Sequence, residues 1–304
     1  MVNQPLISLV VVTAPGRQRD LWRCLRSILN SDCRNWETVV VDNSGEPGFD
    51  QKITKAFPDK RIKVIKMPFN SGLLGFNVGI VNTKGKYIMI IDDDSAVYRE
   101  TLAKVIKLFN QLPKSVGVVS AAVYDRVLKR YTDNSGVDLS KTFRSFSGSG
   151  IFKRKVFAMV GYFEDKFFCW NFEEDFTIRF LQAGWQQYFA SKKELLLDHY
   201  YKSHHFRKEQ VFLITRNKVW LNVKHFSWLI MPLIFIRDMI WILLQPFRRK
   251  NWRALIYASL GYLTGILTAP GFIKNRHVAP WWIQKLYLQA QIGEDFKRLV
   301  LRKA

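Results

Sequence analysis

Cysteine is scarce in this 304-residue chain, which contains only Cys24, Cys33 and Cys169. Their number and spacing argue against a disulfide framework and against a zinc site, and they favour a reducing compartment. The chain also lacks internal repeats and low-complexity linkers. The apolar run near its start, residues 6–13, has no basic leader and no cleavage site, so we expect a first strand there rather than a signal peptide.

Acidic residues are also few, since 25 Asp and Glu stand against 47 Lys and Arg, for a formal net charge of +22. The imbalance is largest in residues 201–304, which hold 18 basic and 4 acidic side chains. Positive charge alone fits either nucleic acid or an anionic membrane. Here it occurs together with Trp and long apolar runs, which favours a membrane surface and no nucleic-acid partner.

The remaining composition is that of a folded protein, with 48% hydrophobic and 14% aromatic residues. Apolar, β-branched runs predict strands at residues 6–13, 37–42, 61–67, 86–91 and 116–120. Helical spacing of apolar residues predicts helices at residues 17–30, 72–83, 100–110 and 173–184. Apolar strands that alternate with amphipathic helices indicate an α/β fold with a Rossmann-like, mostly parallel sheet flanked by helices.

Polar residues end three of these predicted strands, namely Thr13, Asp42 and the run Asp92–Asp94. In parallel sheets, ligands bind beyond the carboxyl ends of the strands. Three adjacent carboxylates repel one another, and a divalent cation such as Mn²⁺ or Mg²⁺ would compensate them with hard oxygen ligands. The alternative is a solvated loop in which Asp94 or Ser95 caps the next helix.

A second acidic group, Glu173, Glu174 and Asp175, fits the first turn of a helix, where the helix dipole favours negative charge. The helix dipole alone would explain why these acidic residues occur together. The functional alternative is a general base, because a carboxylate can take the proton of a hydroxyl group as that hydroxyl attacks a substrate carbon.

Several segments, in order along the chain, resemble family 2 glycosyltransferases of the GT-A type, and most closely the bacterial rhamnosyltransferases. The resemblance covers roughly residues 6–225 and is carried by VVTAPGRQRDLWRCLRSI, VVVDNSG, NSGLLGFNVG, IIDDDS and NFEEDFTIRFLQAGW. It implies a nucleotide-sugar donor bound by Thr13, Arg17, Asp42, Asn70, Asn77, Asp92 and Asp93.

The same resemblance implies a metal site at Asp94 and Asp92, which His199 would complete. The family's acidic motif begins with Glu where this chain has Phe172. By alignment Glu173 is then the catalytic base, while Glu174 and Asp175 stay open as alternatives.

Two long apolar runs, residues 228–247 and 254–273, lie in the last third. Their length is close to the roughly 20 residues that a membrane span needs, but Arg237 and Asp238 interrupt the first run. We therefore expect a membrane-associated helical region, residues 226–304, that lies in the interface and follows a catalytic domain at residues 1–225. One or two true spans are the alternative, and a soluble helical layer would leave the interleaved basic residues unexplained.

The sequence thus predicts an inverting, metal-dependent glycosyltransferase at the cytoplasmic face of the cell membrane, bound in a peripheral or monotopic manner. The expected donor is a UDP-, dTDP- or GDP-sugar. The expected acceptor is a lipid-linked (polyprenyl) oligosaccharide or another cell-surface glycan. The alternatives are a basic nucleic-acid-binding protein and an inactive transferase-like membrane scaffold, although the two intact acidic groups argue against the latter.

Overall fold

The computed structural model describes residues 5–133, 139–140, 142–146, 150–200, 207–274 and 276–300. The chain folds into two compact units. The first unit comprises Met1–Lys141, Phe146–Phe168 and Ala183–Lys202, and the second comprises Thr142–Ser145, Cys169–Gln182 and Ser203–Ala304. Residues 169–182 and 207–225, assigned from the sequence to the catalytic domain, therefore belong to the second unit.

The strands of the described residues all lie in the first unit. They are β1 (Ile7–Thr13), β2 (Trp36–Asp42), β3 (Ile62–Lys66), β4 (Tyr87–Asp92), β5 (Ser95–Val97), β6 (Val116–Ser120), β7 (Ala122–Asp125), β8 (Arg130–Asp133), β9 (Gly150–Lys153), β10 (Gln186–Phe189) and β11 (Leu196–His199). The five strands predicted from apolar runs are confirmed as β1, β2, β3, β4 and β6.

The helices of the first unit are α1 (Gln18–Leu29), α2 (Phe49–Ala56), α3 (Leu74–Val81), α4 (Thr101–Gln111) and α5 (Arg154–Val160), with a 3₁₀ turn at Asp165–Phe167. Those of the second unit are α6 (Phe172–Gln182), α7 (Lys208–His225), α8 (Met231–Leu243), α9 (Gln245–Arg249), α10 (Arg253–Thr268), α11 (Pro270–Ile273) and α12 (Trp281–Val300). The four predicted helices are confirmed as α1, α3, α4 and α6.

The larger sheet has the strand order β10-β6-β9-β4-β1-β2-β3, and β4, β1, β2 and β3 are mutually parallel. Both faces of its centre are buried, which explains the uninterrupted apolar runs. On one face, Leu9 and Val11 belong to a core that includes α1 and α4. On the other face α3 approaches so closely that a Cβ at Gly79 would lie 2.4 Å from Val10 Cγ1. Glycine in this helix therefore serves close packing.

The larger sheet is mostly parallel, as predicted, but it is a mixed sheet because it contains one antiparallel strand. Strand β9 lies between β4 and β6 and runs antiparallel to both. A further sheet, in the order β5-β11-β7-β8, was not predicted at all. Its strands have only three or four residues each, and segments that short carry too little periodicity to be distinguished from loops.

In the second unit, α10 packs directly on α7 through small residues. A Cβ at Gly261 would lie 2.3 Å from the carbonyl oxygen of Phe212, and one at Gly265 would lie 2.8 Å from Val219 Cβ. Among the described residues, no helix combines the length and apolarity that a membrane crossing requires.

Candidate active site

The polar ends of the central strands meet at one edge of the sheet, as the sequence predicted. The register pairs Thr13 of β1 with Asp42 of β2, and it pairs Val12 of β1 with Asp92 of β4. Because all three strands are parallel, their last residues lie side by side. The three polar ends therefore share one edge of the first unit.

Arg17, immediately before α1, lies against the acidic run. Its Nη2 is 2.8 Å from Asp93 Oδ1 and also pairs with Asp94 Oδ2. Thr13 Oγ1 donates a hydrogen bond of 2.9 Å to Asp93 Oδ2. Thr13 and Arg17, both predicted to contact the donor, thus also hold Asp93 in place.

Strand β11 brings His199 to the acidic run. The chain turns directly from Asp94 into β5, and β5 pairs antiparallel with β11 so that Ser95 lies opposite His199. His199 Nε2 is then 2.9 Å from Asp94 Oδ1. Ligand atoms of Asp92, Asp94 and His199 all lie within 4.8 Å of one another. The three residues predicted to bind metal are therefore brought together.

The charges in this cluster are unevenly compensated. Burial, reinforced by the neighbouring Asp94 carboxylate, raises the pKa of Asp92 to about 7. Burial acts on Asp94 too, but His199 and Arg17 outweigh it and lower the pKa of Asp94 to about 2. Carboxylates suit Mn²⁺ or Mg²⁺ best, and one imidazole is acceptable beside them. A cation would also neutralise the charge that burial disfavours at Asp92. The donor set therefore fits a divalent metal ion.

Asp42 lies at the end of β2 with one of its carboxylate oxygens engaged. Asp42 Oδ1 accepts hydrogen bonds from Ser44 N (3.0 Å) and Ser44 Oγ (2.6 Å). Asp42 Oδ2 is buried and has no hydrogen-bond partner among the described residues. A buried hydrogen-bond acceptor without a partner is unfavourable. This oxygen is therefore suited to accept a hydrogen bond from an N–H of a bound nucleobase.

The loop that carries Asn70 is held by a residue that the sequence did not single out. Asn43 Oδ1 accepts from both Ser71 N and Ser71 Oγ at 2.8 Å. Asn43 Nδ2 donates to Asn70 Oδ1 at 3.1 Å. Asn43 follows Asp42 directly, so β2 positions both Asp42, a predicted donor contact, and the neighbouring loop.

Asn77, another predicted donor contact, uses both ends of its amide on the backbone of Phe163. Asn77 Nδ2 donates to the Phe163 carbonyl at 2.8 Å, and Asn77 Oδ1 accepts from Phe163 N at 3.1 Å. In this structure the side chain ties α3 to the segment after α5. Its contact with a donor stays a prediction.

The second acidic group lies in the second unit, at the start of α6. The segment leading into this helix contains positive φ values at Phe168, Trp170 and Asn171, all non-glycine residues. Asn217 of α7, which is fully buried, donates to the carbonyls of Cys169 (2.6 Å) and Trp170 (3.0 Å). Non-glycine residues rarely hold this conformation unless their surroundings enforce it, and such strain is common near active sites.

Asp175 is fully buried and surrounded by three basic side chains. Its Oδ1 lies 2.8 Å from Lys224 Nζ and 2.8 Å from His225 Nε2, and its Oδ2 lies 2.8 Å from Arg179 Nη2. Burial opposes its charge, but Arg179, His225 and Lys224 hold the pKa of Asp175 well below its usual range. Asp175 therefore ties α6 to the end of α7.

The other two acidic residues of α6 are half-buried. Glu174 Oε2 accepts a hydrogen bond of 2.9 Å from Asn171 Nδ2. Gln291 of α12 donates to Glu174 Oε1 at 3.4 Å. Glu174 is thus held by neighbours on both sides. The choice of base among the three carboxylates stays a prediction at this point.

Four residues that organise these regions were missed from the sequence, namely Asn43, Asn217, Lys224 and His225. Asn43 carried a usable signal, because it directly follows the polar end of a strand. The other three lie in the apolar, aromatic stretch of α7, which has no motif of its own. Their partners are about 50 residues away in sequence, so only the fold reveals the contacts.

The Asp175 cluster predicts a large stability effect. Asp175→Asn should lower the free energy of unfolding by about 3–5 kcal/mol, because Lys224 and Arg179 would keep buried charges without their partner. Urea unfolding followed by Trp fluorescence measures this. Glu209→Gln, at a side chain 66% exposed, is the control and should stay within about 0.5 kcal/mol of the parent. Equal stabilities of the two variants would contradict this role of Asp175.

A large part of the chain matches a known protein family. The family described as Glycosyl transferase family 2 matches residues 9–183. That range contains the central strands, the acidic run at the end of β4 and helix α6. It includes more than half of the chain.

Curated relatives match over shorter segments. WcaA of Escherichia coli (strain K12), whose name assigns it to colanic acid biosynthesis as a glycosyl transferase, is 38% identical over 96 residues, or 31% of this chain and 34% of WcaA. An uncharacterized glycosyltransferase of Haemophilus influenzae is 24% identical over 124 residues, or 40% of this chain and 41% of that protein. The chain therefore spans well under half of either relative's length.

Solved structures share the fold at low sequence identity. GalNAc-T7, crystallised with UDP, GalNAc and Mn²⁺, aligns with a TM-score of 0.59 and 13% identity, covering 75% of this chain and 49% of that one. S. aureus TarS 1–349 in complex with UDP-GlcNAc aligns with a TM-score of 0.57 and 14% identity, covering 89% of this chain and 92% of TarS 1–349. The chain thus has a GT-A-like α/β fold, and it belongs to glycosyl transferase family 2.

Proposed function

We propose that this protein transfers a sugar, with inversion, from a nucleotide-diphosphate donor to a lipid-linked (polyprenyl) oligosaccharide or another cell-surface glycan. The observation that carries the proposal is the cluster of Asp92, Asp94 and His199 at the end of β4. This cluster combines a metal-type donor set with the strand edge at which α/β proteins bind nucleotides.

The donor is bound by the first unit in this proposal. Asp42 offers its buried, unpaired Oδ2 to an N–H of the base. Thr13, Arg17, Asn70, Asp92 and Asp93 bind or orient the ribose and phosphates. The structures of GalNAc-T7 and TarS contain UDP or UDP-GlcNAc, which favours a UDP-sugar. A dTDP-sugar, as in a rhamnosyltransferase, and a GDP-sugar are the alternatives.

Asp94, Asp92 and His199 are the residues that would hold Mn²⁺ or Mg²⁺. Such an ion, when bound, supplies positive charge that stabilises a departing diphosphate. The GalNAc-T7 crystals contain Mn²⁺, which makes Mn²⁺ the first ion to test. Arg17 already pairs with Asp93 and Asp94, so it keeps the two carboxylates oriented toward the same edge.

Glu173 is the base in this proposal. Asp175 is enclosed by Arg179, His225 and Lys224, and these partners hold the pKa of its carboxyl low against the effect of burial, so it is a poor proton acceptor. Alignment with the family's acidic motif, counted back from Arg179, assigns the position of the base to Glu173. Glu173 would accept the proton of the acceptor hydroxyl as its oxygen forms the bond to the anomeric carbon. The bond from that carbon to the diphosphate breaks on the opposite side.

A membrane surface is proposed from the helices of the second unit. On α8, Leu233, Ile236, Ile240 and Leu243 are exposed and follow one another at helical spacing. On α10, the exposed residues Ile256, Leu260, Leu263 and Leu267 do the same. Exposed apolar surface of this extent marks a membrane or protein interface.

Charge favours the membrane over a second copy of the chain. Residues 239–293 contain seven Lys and Arg and no Asp or Glu. Two such surfaces would repel each other, whereas anionic phospholipids would attract them. Helices α8 and α10 have 13 and 16 residues, or about 20 and 24 Å at 1.5 Å per residue, against a hydrocarbon core of about 30 Å. We therefore propose peripheral or monotopic binding, at the cytoplasmic face.

A lipid-linked acceptor follows from this location. An enzyme on the membrane meets a polyprenyl-anchored glycan by diffusion in two dimensions, with the sugar exposed in the headgroup layer. WcaA is named as a putative glycosyl transferase of colanic acid biosynthesis, which also favours a glycan as the product.

The metal site predicts a clear effect of Asp94→Asn. Calorimetry with UDP-, dTDP- and GDP-sugars should show Mn²⁺-dependent binding of one donor to the parent protein and none to this variant. Its kcat should fall about 100-fold or more, the scale of one lost electrostatic contact in a transition state. Asp32→Asn, at a carboxylate 53% exposed that pairs with Arg99 at the surface, is the control and should behave like the parent. Metal-dependent donor binding by the Asp94 variant would rule out this metal site.

The base assignment predicts different outcomes for two neighbouring glutamates. Glu173→Gln should lower kcat by about 10²–10⁴-fold, the usual contribution of general base catalysis, with donor binding unchanged. Glu174→Gln should lower kcat by a smaller factor than Glu173→Gln does. Steady-state kinetics and donor titrations on both variants separate proton transfer from binding. A larger loss in Glu174→Gln would move the role of base to Glu174.

The membrane proposal predicts flotation with vesicles that contain phosphatidylglycerol. Changing both Ile256 and Leu263 to Asp should reduce the bound fraction at least about tenfold, because each buried aliphatic side chain contributes roughly 1.5–3 kcal/mol. Met159→Asp, at a residue of the first unit that is 63% exposed, is the control and should float like the parent. Undiminished flotation of the double variant would show that these helices do not bind lipid.

A further inference from the structure

A cavity of about 200 Å³ lies between α7, α8 and α10 in the second unit. Apolar side chains from all three helices line it, among them Val219 and Val223 of α7, Ile234 and Phe235 of α8, and Ile266 of α10. Its polar groups are confined to Asn222, Asp238 and the phenol of Tyr262. A site with this lining favours an apolar ligand.

Two walls of the cavity are rigid. Helix α10 meets α7 through Gly261 and Gly265, which approach the neighbouring helix too closely for any side chain. Asp238 is fixed by Arg237 Nη2 at 2.6 Å and by Asn222 Nδ2 at 2.9 Å. Because these contacts fix both α8 and α10 to α7, we expect the space between the three helices to persist rather than collapse.

The mouth of the cavity opens into exposed apolar surface. Phe235 and Ile266 line the cavity, yet they are 50% and 45% exposed. Leu233, Ile236 and Leu267, which lie beside them in sequence, are exposed as well. A ligand that enters here must pass over an apolar surface, which excludes sugars, nucleotides and free phosphate.

The volume sets the size of the ligand. A dry, apolar cavity of about 150 Å³ accepts a benzene molecule and stays free of water. The present cavity is somewhat larger, so it fits a short, branched stretch of hydrocarbon. It is too small for a folded peptide segment or a sterol.

We propose that this cavity binds an isoprenoid segment of the acceptor's polyprenyl chain. The inference rests on the proposed function, which places such a chain in the membrane beside α8 and α10. The cavity would draw one segment of the chain out of the bilayer and so fix where the attached glycan emerges. It is a binding site for the acceptor's lipid, separate from the donor site of the first unit.

The test is photo-cross-linking of the full chain on vesicles of phosphatidylcholine and phosphatidylglycerol. The probe is farnesyl phosphate with a diazirine on its last isoprene unit, and mass spectrometry maps the adducts. We expect adducts on residues that line the cavity, such as Met231 and Phe235. Adducts spread over the exposed apolar residues, with no enrichment at the cavity, would overturn the proposal.

A matched pair of variants sharpens the test. Ile266→Trp narrows the mouth and should reduce cavity adducts about tenfold, the factor expected when roughly two methylene groups lose their apolar contact. Leu267→Trp changes the next residue, which is 78% exposed and does not line the cavity, and should leave the adducts unchanged. Ala269→Leu fills the cavity from inside and should act like Ile266→Trp. Equal labelling of all three variants would contradict the site.

Two further measurements separate the possible failures. Unlabelled farnesyl phosphate should compete with the probe, whereas equal competition by lysophosphatidylglycerol would assign the cavity to phospholipid acyl chains and overturn the isoprenoid assignment. Donor titration on the same vesicles reports on the first unit. Donor binding without cavity adducts would refute the cavity alone, and cavity adducts without donor binding would refute the proposed function alone.

Discussion

The concentration of negative charge at the end of β4 is the constraint on which the first unit depends. Three carboxylates in succession, at a buried strand end, are unfavourable unless other groups compensate them. Arg17 and Thr13 engage Asp93, and His199 engages Asp94, while burial still raises the pKa of Asp92 to about 7. The parallel register and the pairing of β5 with β11 both serve to bring those groups together. The same arrangement is what makes the edge suitable for a cation and a diphosphate.

The second unit also contains buried carboxylates that need compensating groups. It carries just over half of the chain's excess positive charge, and it buries Asp175 and Asp238 at the centres of ionic clusters. Asp175 joins α6 to α7, and Asp238 joins α8 to α7 through Asn222. This explains the charged pair that interrupts the first long apolar run, because Asp238 is buried and bonded to Arg237. Since Arg237 and Asp238 pair with each other inside the unit, the exposed residues of α8 and α10 are mostly apolar.

The sequence predicted a structural element where its residue pattern extended over enough positions. Strands β1, β2 and β4 were evident because each is a continuous apolar run that ends in a polar residue, and the carboxylates of the site follow from those ends. Strand β9 was missed because it has four residues, and it is the one antiparallel strand in a sheet that is otherwise parallel, as predicted. His199 was found only by resemblance to a family. Lys224 and His225 could not be found, because their partner Asp175 is 49 and 50 residues away and no motif marks them.

The central claim is that Asp92, Asp94 and His199 hold the cation that binds the donor's diphosphate. Crystals grown with Mn²⁺ and UDP, measured at the manganese absorption edge, test it most directly. The account predicts one strong anomalous peak between Asp94, Asp92 and His199, with the diphosphate beside it. A peak elsewhere, or well-ordered UDP at this edge with no metal next to these three residues, would contradict the account.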